Sequence, residues 1–93
     1  MIRGAYGPGW LRLRGHAGYG PAGQDIVCAA VTILAETLAQ FAPVARLGPG
    51  EAEFAWGPEN QGAAAFALAG LRRLAADYPQ CLRLVSAGGA DTV

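Results

Sequence analysis

Gly15-His16-Ala17-Gly18-Tyr19-Gly20-Pro21-Ala22-Gly23-Gln24-Asp25-Ile26-Val27-Cys28-Ala29-Ala30-Val31-Thr32 is the stretch on which the reading of this chain turns. Its first half cannot hold a regular period: four glycines and a proline in nine residues, 15–23, read as a loop that bends sharply and moves. Its second half opens a helix. Asp25 is a favoured N-cap, because its carboxylate accepts the unpaired amide hydrogens of the first turn. Cys28 is then the third helical residue. Ile26, Ala30, Ile33, Leu34, Leu38 and Phe41 recur at three-to-four spacing and predict the buried stripe, and Pro43 stops the helix.

Outward from that stretch the punctuation continues. Upstream, Trp10-Leu11-Arg12-Leu13-Arg14 alternates apolar and charged with the period of a half-buried strand. It forms the second arm of a hairpin with Met1 to Tyr6, turned at Gly7-Pro8-Gly9, so His16 falls at a strand end. Downstream, Val44 to Trp56 reads as a second hairpin turned at Gly48-Pro49-Gly50. Asn60 is placed to cap a second helix reaching about Tyr78, with Ala64, Leu68, Leu71, Leu74 and Tyr78 on one face; Pro79 ends it. Residues 81–85 alternate as a last strand, and 86–93 read as a flexible tail of small residues. The order is β-β-α-β-β-α-β. The expected class is α+β: a small sandwich of a mainly antiparallel sheet with both helices on one face, in a single domain over 1–93.

Composition narrows the function. A chain of 93 residues with 53% hydrophobic and only 15% charged residues has more apolar surface than so small a body hides easily, which points to a homodimer. Seven basic and seven acidic residues cancel, and the arginines at 3, 12, 14, 46, 72, 73 and 83 form no run, so no nucleic-acid surface is expected. No signal-peptide pattern opens the sequence, so the two cysteines are read as reduced cytoplasmic thiols. One histidine and two distant cysteines fit no familiar zinc spacing, and no metal or other cofactor is expected. The apolar run from Ile26 to Leu38 is too short and too polar to span a membrane.

The chemistry lies in His16 and Cys28. A free cysteine in an apolar helix is usually a small buried hydrophobe, which is how Cys81 is read. Cys28 differs: it sits in a first turn, where unpaired amides and the helix dipole favour a thiolate, behind a loop able to admit a ligand. The single histidine is tethered beside it and can act as general base, although a loop-edge imidazole is often only bonded to backbone. Asp25 can cap the helix, orient the imidazole, or do both. Thr32, one turn beyond Cys28, can bond into the site or back to its own helix. The loop of Gly15, Gly18, Tyr19, Gly20 and Gly23 lacks the lysine of a phosphate-binding loop and reads as a gate over the thiol, Tyr19 being its one bulky side chain.

Gly15-His16-Ala17-Gly18-Tyr19-Gly20 followed by Asp25-Ile26-Val27-Cys28-Ala29-Ala30-Val31 resembles the signature of the bacterial ribosomal-processing cysteine protease family, Prp, with Thr32 where a serine is common. The resemblance implies a homodimeric endopeptidase that removes a short N-terminal extension from a large-subunit ribosomal protein. It implies Cys28 as nucleophile, His16 as base, Asp25 close to the pair, and a glycine loop that closes over substrate. First-turn amides of the helix are then the natural oxyanion donors. Three other readings stand beside it: a non-catalytic dimeric module that binds a peptide or the ribosome, a prophage-type relative with another protein substrate, and a thiol redox sensor. The last lacks a nearby resolving cysteine.

Overall fold

The alternation at residues 10–14 sorts side chains between two environments, and the sheet keeps that sorting: Leu11 and Leu13 are buried while Arg12 and Arg14 are exposed. The structure is a computed structural model and describes residues 1–87. Its elements are β1 (Ile2–Gly7), β2 (Trp10–Arg14), α1 (Ile26–Ala39), β3 (Val44–Gly48), β4 (Glu51–Ala55), α2 (Gln61–Asp77) and β5 (Leu82–Ser86). The expected β-β-α-β-β-α-β order holds. The strands form one sheet in the order β3-β4-β2-β1-β5, antiparallel at every junction except the parallel pair β1 and β5, where Ile2 faces Leu82 and Tyr6 faces Ser86.

Register decides which residues meet the helices. Ile2, Gly4, Leu11, Leu13, Ala52, Phe54 and Leu82 share one face and join the core with the inner residues of α1 and α2. Burying each leucine-sized side chain there contributes about 1.5–3 kcal/mol. Both helices therefore cover the same face, as expected.

On α1 the expected stripe is out of phase. Val27, Val31, Ala35 and Leu38 are the buried residues. Ile26, Ile33 and Phe41 are exposed instead, Ile33 at 61% and Phe41 at 55%. The helix is apolar almost all round, so several stripes are available, and contact with the sheet selects the one that turns Cys28 toward β2. On α2 the expected face is right: Ala64, Leu68 and Leu71 are buried, with Leu74 and Tyr78 packed against the core. Asn60 occupies the predicted cap position, but its side chain makes no capping bond. A 3-10 turn at Pro58–Asn60 leads into the helix instead, held by the Asn60 N–H donating to the Gly57 carbonyl at 3.1 Å.

Cys81 is buried immediately before β5. That strand runs one residue past its predicted end: Ser86 is its last member, and the Ala87 N–H donates to the Tyr6 carbonyl at 2.8 Å. The tail expected from 86 thus begins later, and its remaining residues, 88–93, lie outside the described ones. Among the described residues no helix is long and apolar enough to cross a membrane.

The other sheet face carries no helix. Arg3, Arg12, Arg14, Arg46 and Arg83 all point from it, with Glu51 and Glu53 between them. Arginines that form no run in the sequence are thus gathered in space, because alternation on four strands sends every one of them outward. The Arg14–Glu53 pair, at 3.3 Å, is solvent-exposed and contributes at most about 1 kcal/mol.

Candidate active site

The site is built where β2 runs out. Gly15 turns the chain at φ +107°, its N–H donating to the Gly50 carbonyl at 2.8 Å, and a Cβ there would run into the Met1 carbonyl oxygen. The turn sends His16 across the β3–β4 connection, where its ring rests on Gly50. A Cβ at Gly50, itself at φ +70°, would stand 2.9 Å from the His16 Nε2. Glycine is required at both places, for backbone conformation and for room.

Ala17 is buried, and its N–H donates to the Cys28 Sγ at 3.3 Å. This bond ties the residue after the histidine directly to the sulfur. His16, Cys28 and Thr32 line the walls of the same two adjoining pockets, one of about 330 Å³ beside β2 and the β3–β4 turn, the other of about 680 Å³ beneath the glycine loop. Cys28 is half-buried, His16 and Thr32 are exposed, and so a peptide laid along the cleft passes over the thiol.

Asp25 holds this arrangement by dividing its carboxylate. Oδ1 accepts the N–H groups of Val27 (3.0 Å) and Cys28 (2.9 Å), capping α1. Oδ2 accepts those of Tyr19 (2.8 Å) and Gly20 (3.3 Å), pinning the loop to the same helix end. The carboxylate is thus committed to backbone rather than to the imidazole. Two consequences depart from the sequence reading. The first-turn amides of Val27 and Cys28 are already taken, leaving Ala17 N–H as the amide directed at the sulfur. Tyr19 is turned away from the cleft, its ring edge-on to Tyr78 at a centroid distance of 5.5 Å.

The four N–H donors, Cys28's foremost, hold the Asp25 carboxyl below its ordinary value of 3.8, against the opposing effect of desolvation. A depressed carboxylate stabilises the fold fully above the unfolded value and loses that effect as pH falls through the folded one. The amide resonances of Tyr19 and Gly20 should therefore stay fixed above pH 3.8 and shift together only below it. A shared midpoint above 3.8 in a pH titration followed by NMR would contradict this role for Asp25.

The sequence reading did not single out Glu36. It lines both pockets, two turns beyond Cys28 and one beyond Thr32. The spacing 28, 32, 36 was the available signal, since residues four apart stack on one helix face. The contribution of the β3–β4 turn, from Leu47 to Glu51, is also new, because nothing local connects that turn to the His16 loop. Among the described residues no cluster of three His, Cys, Asp or Glu side chains is arranged to hold a metal.

Solved structures share this architecture. The ribosomal processing protease Prp of Staphylococcus aureus, described as essential and in complex with a covalently linked product peptide, superposes with a TM-score of 0.81 at 20% identity, covering 94% of this chain and 100% of that one. The same protein in complex with a substrate peptide gives 0.74 at 19%, with the same coverage. The protein SMU.848 of Streptococcus mutans gives 0.78 at 23%, covering 96% of each chain. At these identities the likeness is one of fold. Comparison with curated proteins by sequence gives no match. The model of the cysteine protease Prp family matches residues 10–83, a span that begins at β2, takes in His16, the glycine loop and Cys28, and ends inside β5. The cleft with its half-buried thiol is therefore a protease cleft, and the chain belongs to the cysteine protease Prp family.

Proposed function

We propose that this protein is an endopeptidase that removes a short N-terminal extension from a large-subunit ribosomal protein, with Cys28 as nucleophile and His16 as general acid and base. The observation that carries the dyad is the Ala17 N–H to Cys28 Sγ bond, which fixes the sulfur beside the only histidine, where two pockets meet. The substrate class rests on the family and on the S. aureus protein's description as a ribosomal processing protease.

In this mechanism His16 takes the Cys28 proton, and the sulfur attacks the scissile carbonyl carbon. The carbonyl oxygen becomes an oxyanion beside the sulfur, within reach of the Ala17 N–H. As the tetrahedral species collapses, the C–N bond breaks and His16 returns its proton to the leaving amine. A water molecule, deprotonated by His16, then attacks the thioester and frees the thiol. Thr32 flanks the sulfur one turn along α1, and the glycine loop pinned by Asp25 shields the reacting bond from bulk water.

The working unit in this reading is a cytoplasmic homodimer. The exposed residues Ile33, Phe41 and Phe66 (76% exposed) surround an apolar hollow of about 530 Å³ between α1 and α2, and a second copy would remove that surface from water. Incubation with a purified precursor carrying the extension should yield, by intact-mass measurement, one shortened product and one released peptide. A precursor that is bound but returns at full mass would favour the non-catalytic binding module instead.

A further inference from the structure

The uncovered sheet face has a charge pattern that the fold does not explain. Register places Arg83 of β5, Arg3 of β1 and Arg14 of β2 side by side in one cross-strand row. Neighbouring strands lie about 4.8 Å apart, so three guanidinium stems rise within roughly 10 Å. Like charges directly opposite one another destabilise a sheet. One carboxylate, Glu51, follows Arg14 in the row, and Arg14 itself reaches Glu53. Among the described residues Arg3 and Arg83 have no ion-pair partner. Arg12 stands in the next row, with its guanidinium 5.9 Å from the centroid of the Trp10 ring. Trp10 is flanked in register by Gly7 and Ala55, whose small size leaves that ring open.

We propose that this face, centred on β5, β1 and β2, binds single-stranded nucleic acid through its phosphodiester backbone. Arginine forks match phosphate oxygens bidentately, and a flat sheet with an exposed aromatic ring offers a surface on which an unpaired base can stack. A polyanion relieves the repulsion within the arginine row. A second copy of this chain does not, because a two-fold contact through the same face sets arginine against arginine. The face lies on the opposite side of the sheet from the helices, so binding there leaves the cleft open.

The test uses the full chain, a fluorescein-labelled single-stranded RNA oligonucleotide of mixed sequence, and fluorescence anisotropy over a range of salt concentrations. Binding should weaken steeply with salt. The double variant Arg3→Gln/Arg83→Gln should weaken it at least about fivefold at low salt and lower the salt slope by about one, since each single-strand phosphate contact contributes about 0.7. The variant should fold as well as the parent by circular dichroism, because it removes opposed like charges. Neither arginine lines the cleft, so cleavage should be unchanged, and a failed protease reading would leave the RNA result standing. Absence of binding at low salt, equal affinity of parent and variant, or displacement of the RNA by polyglutamate at equal charge would overturn the proposal. So would loss of a dimer in the variant by sedimentation.

Discussion

Cys28→Ala and His16→Ala will each stop processing of the precursor, lowering the rate by about 10⁴–10⁶-fold, while leaving the protein folded. The size follows from chemistry: without the sulfur no acyl-enzyme forms, and without the imidazole the thiol keeps its proton and the leaving amine gains none. The fold should tolerate both changes, since His16 is exposed and alanine at the half-buried Cys28 removes only one atom from the cleft wall. Because the two residues act as a unit, the double variant should be no slower than either single one. Residual cleavage at even a tenth of the wild-type rate in either variant would remove that residue from the mechanism. Iodoacetamide gives an independent reading. Cys28 should alkylate first at neutral pH, whereas Cys81, 8% exposed, should react only on unfolding; equal rates would argue against a primed thiol.

Leu11→Ala should cost about 2–5 kcal/mol of stability. Leu11 is 1% exposed, sits on β2 in the middle of the sheet, and pairs in register with Phe54 and Tyr6. Alanine would open a cavity on the face where both helices pack, and neighbours anchored in a sheet relax into such a space poorly. Domains of this size hold about 5–15 kcal/mol in total, so the thermal midpoint should fall by at least about 10 °C. The fraction still folded should cleave normally, because His16 is positioned by the Gly15–Gly50 bond rather than by Leu11. A loss below about 1 kcal/mol in urea titration would mean that this part of the core repacks freely.

What could be read before the structure divides along physical lines. Gly7-Pro8-Gly9, Gly48-Pro49-Gly50, Pro43 and Pro79 fixed element limits closely, because turn chemistry is local. Asp25 was recognisable as a cap for the same reason. The phase of α1 was not: with apolar residues on nearly every side, the choice between Ile26/Ile33/Phe41 and Val27/Val31/Ala35 belongs to the sheet. Glu36 was hidden because the helix was read for its apolar spacing rather than for the polar positions four and eight beyond Cys28. The partition of the Asp25 carboxylate, and the seat of His16 on Gly50, depend on a loop meeting elements distant in sequence. Arginines that seemed dispersed became one surface only when strand order was known.

Strand order also dictates when the protein can finish folding. β1 sits between β2 and β5, so residues 2–6 have one neighbour as soon as the first hairpin closes, but gain the other only when residues 82–86 arrive. Contacts between such distant segments form slowly. The cleft's two halves, β2 and α1, are both encoded before residue 40, yet Ile2 on the cleft floor is secured from its far side by Leu82 and by its N–H bond to the Cys81 carbonyl. A nascent chain lacking its last strand therefore carries every residue of the dyad on an incomplete sheet. Proteolytic competence should arise late, after synthesis has passed residue 86, which keeps an unguarded thiol from acting while its own chain is still being made.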